Sequence, residues 1–176
     1  MNGETEKNEK LYDLVIKAGH VIDPGSGIDR RMDVAVTGGK IALLAPDIPA
    51  SEAKQTVDAA GLFVTPGILD IHTHVYQYRV TGPGGLEAVH ADAHLLASGV
   101  TTTVDVGTVG WKNFSDFKQF TIDRSKVRIL ALLNIAANGM ADTISEQTMA
   151  DMQPELAAEV VKAYPEWLVG IKTAHY

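Results

Sequence analysis

His72 and His74 stand two residues apart in the stretch GILDIHTHV, with Asp70 two residues before them. The stretch is apolar and β-branched up to the histidines, so it predicts a strand. In a strand, residues i and i+2 project from one face. Two imidazoles then sit side by side, with Thr73 turned away. Two neutral ring nitrogens at that spacing suit one divalent metal such as Zn²⁺. Asp70 shares their face and is placed to orient an imidazole rather than to ligate. The competing reading is a polar strand end carrying two solvated histidines, and the motif is too short to decide by itself. Other histidines say less. His90 and His94 are four apart on a predicted helix, but a zinc-protease motif would need Glu at 91 and Ala91 stands there, so both read as helix-surface residues. His20 reads as a surface residue of a turn.

The elements that must position the pair fall into two groups. From Leu11 to Thr65 the pattern is all β. LYDLVIKAGHVID predicts two strands about a turn at Ala18-Gly19, and Gly38-Gly39 between apolar runs predicts a tight hairpin. KQTVDAAGLFVTPG predicts another short strand pair. After Pro66 the pattern changes. ILDIHTHV, VTTTVDVGT, KVRILALLNIAA and WLVGIKTAHY predict four strands. Between them lie helical spacings: Leu86, Val89, Ala93 and Leu96 ahead of Gly99, then WKNFSDFKQFTIDRS, then QPELAAEVVKAYPE with Pro154 at its start. Alternating strands and helices predict a parallel sheet. In such folds chemistry gathers at the carboxyl ends of strands, where His72 and His74 fall. Asp105 and Asn134 fall at the same ends of the next two strands, where they either line a pocket or cap loops.

Composition narrows the chemistry. The chain has 176 residues, no cysteine and a formal charge of −7. Any metal therefore sits on nitrogen and oxygen ligands, and a nucleic-acid surface is not expected without a basic run. No apolar stretch approaches the ~18–20 residues of a membrane span, and the polar opening MNGETEKNEK lacks the apolar core of a signal peptide. The expectation is a cytoplasmic protein with neither nucleic acid nor membrane as partner.

The whole run from DLVIKAGHVIDPGSG through VDAAGLFVTPGILDIHTHV resembles the N-terminal part of the amidohydrolase superfamily, in its dihydroorotase-like and hydantoinase-like branch. GVTTTVDVGTVGWKNFSDFKQFTIDRSKVRILALLNIAANGM and VGIKTAHY are similar to the amidohydrolase/deacetylase metallohydrolases within that branch. The resemblance implies an α/β fold: the N-terminal half of a (β/α)8 barrel over 66–176, preceded by a tail over 1–10 and part of a small β-sandwich lobe over 11–65. It implies that His72, His74 and Lys172 are metal ligands, with Lys172 carboxylated by CO₂ to a carbamate that bridges two divalent ions, zinc in the first instance. An anion between two dications offsets their repulsion. A metal-bridging hydroxide then attacks an amide or ester bond of an acylated small molecule.

His175, on the loop after Lys172, and Tyr76 are the candidate substrate contacts. Dihydroorotases commonly carry a carboxylate-binding arginine where this chain has Tyr76, which favours a deacetylase-like reaction. The alternatives are a cyclic-amide hydrolase of the dihydroorotase or hydantoinase type, and a non-catalytic scaffold. A full barrel takes ~250 residues. The resemblance places the second metal's histidines and the general-base aspartate on later strands, so the chain reads as truncated, without a catalytic base of its own, and as a homo-oligomer when full length.

Overall fold

The computed structural model describes residues 10–77, 88–142 and 144–173. The chain divides into two compact units, one through Pro66 and one from Gly67. The first is built on five strands: β1 (Tyr12–Asp23), β2 (Ile28–Thr37), β3 (Lys40–Ala45), β4 (Ala53–Asp58) and β5 (Phe63–Val64). They form one sheet in the order β3-β2-β1-β4, with β5 also paired to β1. A second sheet facing this one, as a sandwich would have, is not found among the described residues of the unit. Gly38 and Gly39 take φ of 58° and 73°. That left-handed pair is what a two-residue hairpin between β2 and β3 requires.

Two expectations for this unit are corrected. β1 does not turn at Ala18-Gly19; it runs on through a bulge, with the register to β2 shifting between Ile16 and Gly19. Ala18 adopts φ 62°. A bulge and a turn demand the same left-handed backbone, so small residues signal either one. The bulge is held by Asp33, whose carboxylate is only 2% exposed. It accepts the N–H of Ala18 at 2.7 Å, the N–H of Ile48 at 2.8 Å and the Lys17 ammonium. His20 consequently lies within β1, its Nε2 2.5 Å from Asp29 Oδ1. Secondly, β4 and β5 do not pair with each other, because each lies parallel to β1.

The second unit carries β6 (Ile68–Thr73), β7 (Val100–Gly110), β8 (Arg128–Asn134) and β9 (Leu168–Lys172). All three pairings are parallel, and the spatial order is β6-β7-β8-β9. Strands that follow chain order without reversal belong to a barrel wall, whereas a doubly wound sheet has a switch point. Two helices, α1 (Phe114–Phe120) and α2 (Pro154–Ala163), cover one face. Beneath them Phe114, Phe117, Ile129, Ala131, Leu133, Ala157 and Leu168 form a continuous core. Pro154 in the first turn of α2 lacks an N–H where no acceptor exists for one.

The helix predicted before Gly99 is shorter than expected. Within the described residues it is one π turn over Ala91–Leu95 and a 3₁₀ turn over Leu96–Ser98, ended by Gly99 at φ 77°. Local bonds compete with the helix here. The ring Nδ1 of His90 accepts the Ala93 N–H, and His94 Nδ1–H donates to the carbonyl of His90. Asp92 is held from outside by Ser125 Oγ and the N–H groups of Lys126 and Val127. Among the described residues, no helix is long and apolar enough to cross a membrane.

Burial raises the Asp33 pKa, but the N–H of Ala18, the Lys17 ammonium and the N–H of Ile48 outweigh it, and the net shift is downward. A depressed carboxylate stabilises the fold above its unfolded pKa, and that stability is lost as pH falls through the folded value. Asp33→Ala leaves the buried N–H of Ile48 and the part-buried N–H of Ala18 without their acceptor. It is expected to cost roughly 2–4 kcal/mol in urea unfolding near neutral pH, and less at pH 3. An unchanged midpoint at both pH values would refute this account of the bulge.

Candidate metal centre

β6 delivers His72 and His74 to one face, and β7 holds them there. The two rings lie with centroids 5.9 Å apart and planes at 74°. Thr73 between them points the other way and is buried. Its Oγ1 lies 2.6 Å from Thr103 Oγ1 and 3.2 Å from the carbonyl of Val104. Thr103 Oγ1 donates in turn to the carbonyl of Asp70 at 3.0 Å. This pair of β-branched hydroxyls clamps the end of β6 to β7, and so fixes which way the intervening histidines face.

His74 is half-buried, and its Nδ1 lies 2.7 Å from Thr108 Oγ1. Burial first, then the neighbouring charges of His72 and Lys172, push its pKa down to about 4. The ring is therefore neutral at physiological pH, the state a metal ligand needs. Asp70 does not orient either imidazole, which corrects the expectation. Its Oδ1 accepts the backbone N–H of His72 at 3.1 Å. An aspartate bonds its own chain two residues on more readily than it reaches a ring on the same face.

Lys172 ends β9 opposite Asn134 of β8. Its aliphatic stem lies across Gly107 at the end of β7. A Cβ added at Gly107 would fall 2.4 Å from Lys172 Cγ and 2.8 Å from its Cβ, and Gly107 has φ 87°. Gly107 thus serves both the left-handed turn and the seat of the lysine. The charge of Lys172 is felt at His74. The structure therefore brings His72, His74 and Lys172 to the same strand ends.

Asp105 and Asn134 prove to be caps. Asp105 has no exposed surface, and its carboxylate accepts the N–H of Val75 and both the N–H and hydroxyl of Thr108. Burial pushes its pKa up to about 6, against the pull of these donors. Asn134 is 1% exposed. Its amide donates to the Gly107 carbonyl at 3.1 Å and to Glu146 Oε1 at 2.5 Å, and its Oδ1 accepts the Ala136 N–H. Tyr76 is a correction: it is fully buried, edge-on to Phe117 at 5.3 Å, and belongs to the core rather than to a substrate surface. The alternation of a strand would have kept Tyr76 on the histidine face, but β6 ends at Thr73 and the chain turns inward. His175 lies outside the described residues. Thr108, Gly107 and Glu146 were not singled out by sequence reasoning. A threonine in TTTVDVGT is indistinguishable by type from its strand neighbours, and Glu146 lies in a loop with no motif.

The donor set fits a metal in part. Two imidazoles share one face, and among the described residues nothing bonds His74 Nε2 while its Nδ1 is bonded to Thr108. Among the described residues no group of three or more His, Cys, Asp or Glu side chains could hold a metal ion. A further oxygen donor from this unit would have to come from a modified Lys172. Two outcomes are expected. In an NMR titration of metal-free protein, the His74 ring stays neutral down to about pH 4, where an unperturbed ring titrates near 6.5. Because the unfolded chain then binds the proton first, this ring makes stability fall as pH drops from 6.5 towards 4. Gly107→Ala is expected to lower stability by roughly 1–3 kcal/mol through left-handed strain alone, and the displaced Lys172 should show as shifted side-chain resonances. An unstrained, unshifted variant would refute the seat.

No family model matches the chain. A deacetylase of Agrobacterium fabrum is 31% identical over 97% of this chain, which covers 42% of that protein. A dihydroorotase of Streptococcus thermophilus is 45% identical over 91 residues, 52% of this chain and 21% of its own length. Among solved structures, an adenine deaminase superposes with a TM-score of 0.76 at 28% identity, over 91% of this chain and 40% of that one. A dihydroorotase superposes with a TM-score of 0.71 at 26% identity, over 91% of this chain and 42% of that one. The chain thus spans less than half the length of each of these proteins. Sequence and strand order agree, and the chain belongs to the amidohydrolase superfamily.

Proposed function

We propose that the chain is part of a metal-dependent hydrolase of amide or ester bonds, deacetylase-like in its substrates, in which His72 and His74 hold one divalent ion and a carboxylated Lys172 contributes oxygens. The observation that carries this reading is geometric: the His72 and His74 rings lie with centroids 5.9 Å apart, and Lys172 closes β9 of the same sheet with its stem against Gly107. The match to the Agrobacterium deacetylase along nearly the whole chain supports the substrate class. When bound, the metal supplies Lewis acidity at neutral pH. The chain's own residues place the ligands. His72 and His74 present lone pairs on one face, the Thr73–Thr103 contact turns Thr73 away from it, and Gly107 makes room for the stem of Lys172. Zinc, a small acylated substrate, a homo-oligomer and a cytoplasmic setting complete the proposal.

A second reading, hydrolysis of a cyclic amide, is favoured by one observation: the 45% identity to a dihydroorotase across 91 residues. The buried Tyr76 counts against it, because that position offers no cation to a carboxylate-bearing ring.

The test uses the protein as it exists. His72→Ala with His74→Ala should abolish bound metal by elemental analysis. Turnover should fall by well over ~10²-fold, since partners that merely orient ligands are already worth 10–100-fold. Lys172→Ala should lose activity and regain part of it with a short carboxylic acid in solution. Wild-type metal content in the double variant would sink the metal assignment. Faster turnover of a cyclic ureide than of N-acyl amino acids or acyl esters would replace the first reading by the second.

A further inference from the structure

Asp105, Thr108 and His74 form a chain of hydrogen bonds whose direction can be worked out atom by atom. Asp105 Oδ2 accepts the N–H of Val75 at 2.9 Å and lies 2.8 Å from Thr108 Oγ1. Asp105 Oδ1 accepts the N–H of Thr108 at 2.9 Å. Thr108 Oγ1 lies 2.7 Å from His74 Nδ1. Thr108 is fully buried and has one hydroxyl proton to give. If it gave that proton to His74, a carboxylate oxygen and a hydroxyl lone pair would face each other at 2.8 Å without water, which is unfavourable. The hydroxyl therefore donates to Asp105. Its remaining lone pair accepts a proton from His74, so that proton sits on Nδ1. The Nε2 lone pair is then the one left for a ligand.

We propose that Thr108, held by Asp105, is a positioning residue that fixes His74 in the tautomer protonated on Nδ1 and so prepares its Nε2 to bind a divalent ion. The inference rests on the metal reading above, yet its first consequence concerns metal-free protein. A neutral imidazole in water prefers its proton on Nε2, so the bond to Thr108 reverses the intrinsic preference. Asp105 in turn cannot drift, because its other donors come from the backbone at both strand ends: Val75 beyond β6, and Thr108 itself in β7.

The experiment is a long-range proton–nitrogen correlation on histidine-labelled, metal-free protein, paired with a zinc titration. Wild type should show His74 protonated on Nδ1. Thr108→Val keeps the shape and removes the hydroxyl, and should move His74 to the Nε2-protonated form and weaken zinc binding by about 10–100-fold. Thr108→Ser should restore both. Thr108→Ala adds no volume and repeats the test should valine disturb the fold. His74 protonated on Nε2 in wild type would overturn the proposal. So would an unchanged tautomer in both the Val and Ala variants, or unchanged zinc affinity in a variant whose tautomer has moved. A wild type that shows the expected tautomer, with loss in Thr108→Val, but binds no zinc would uphold the role of Thr108 in setting the ring and overturn the metal reading instead.

Discussion

A carboxylate without water governs the business end of the barrel-like unit. Asp105 has no exposed surface, so its charge must be met by donors from the protein. They come from Val75 and from Thr108, with the backbone of Gly107 adding to the pull. Val75 follows His74 in the chain, and Thr108 touches the His74 ring. Satisfying one buried anion therefore closes the end of β6 onto the end of β7 and sets an imidazole at the junction. The pKa of Asp105, raised to about 6, measures how incompletely even these donors replace solvent. An asparagine has one acceptor oxygen and could not take backbone N–H groups on both sides, as Asp105 does from Val75 and Thr108. What the carboxylate adds is direction, since an ion accepts from every neighbour and so dictates where the Thr108 proton goes.

The same economy runs through the strand ends. Thr73 and Thr103 spend their hydroxyls on each other and on backbone carbonyls, which stitches β6 to β7 beneath the histidines. Gly107 yields its side-chain volume to Lys172, and its carbonyl accepts from Asn134, which also binds Glu146. The ends of β6 and β8 are thus each tied to β7 by a short polar residue, while the helix-covered face is tied by aromatic packing: Tyr76 on Phe117, and Phe114 on Tyr164 at 5.0 Å. Apolar burial supplies stability there, and hydrogen-bond geometry supplies placement at the ends.

Much of this was readable from residue types, and the failures share a cause. Strand period put His72 and His74 together, Gly38-Gly39 announced the hairpin, and Pro154 marked the start of α2, because in each case a local rule decides the geometry. Ala18-Gly19 was misread because a bulge and a turn ask the same of the backbone; only the distant Asp33 decides between them. β4 and β5 looked like partners because they are neighbours in sequence, yet β1 is long enough to pair with both. Asp105, Thr108 and Tyr76 depend on what lies across a strand boundary. Their types are common in any sheet, and no spacing within the chain announces the bonds of Val75 to Asp105 and of His74 to Thr108, which join residues thirty or more positions apart.

The two histidines are not equivalent, and the difference follows from where β6 stops. His72 lies inside the strand and is exposed, held by its backbone through Asp70. His74 lies one residue past the strand's end, half-buried, with its ring tied to Thr108. The His74 ring is held by a hydrogen bond before any ligand arrives, and the His72 ring makes none among the described residues. Ordering a side chain costs entropy whenever it happens. In His74 that cost is met during folding, offset by the buried bond to Thr108. In His72 it is deferred to binding, and an ion that engages both pays for only one. The depressed pKa of His74 works the same way, because a ring already neutral has no proton to release. Preorganisation here is asymmetric: the fold commits the inner imidazole through Asp105 and leaves the outer one to adapt its geometry to what it meets.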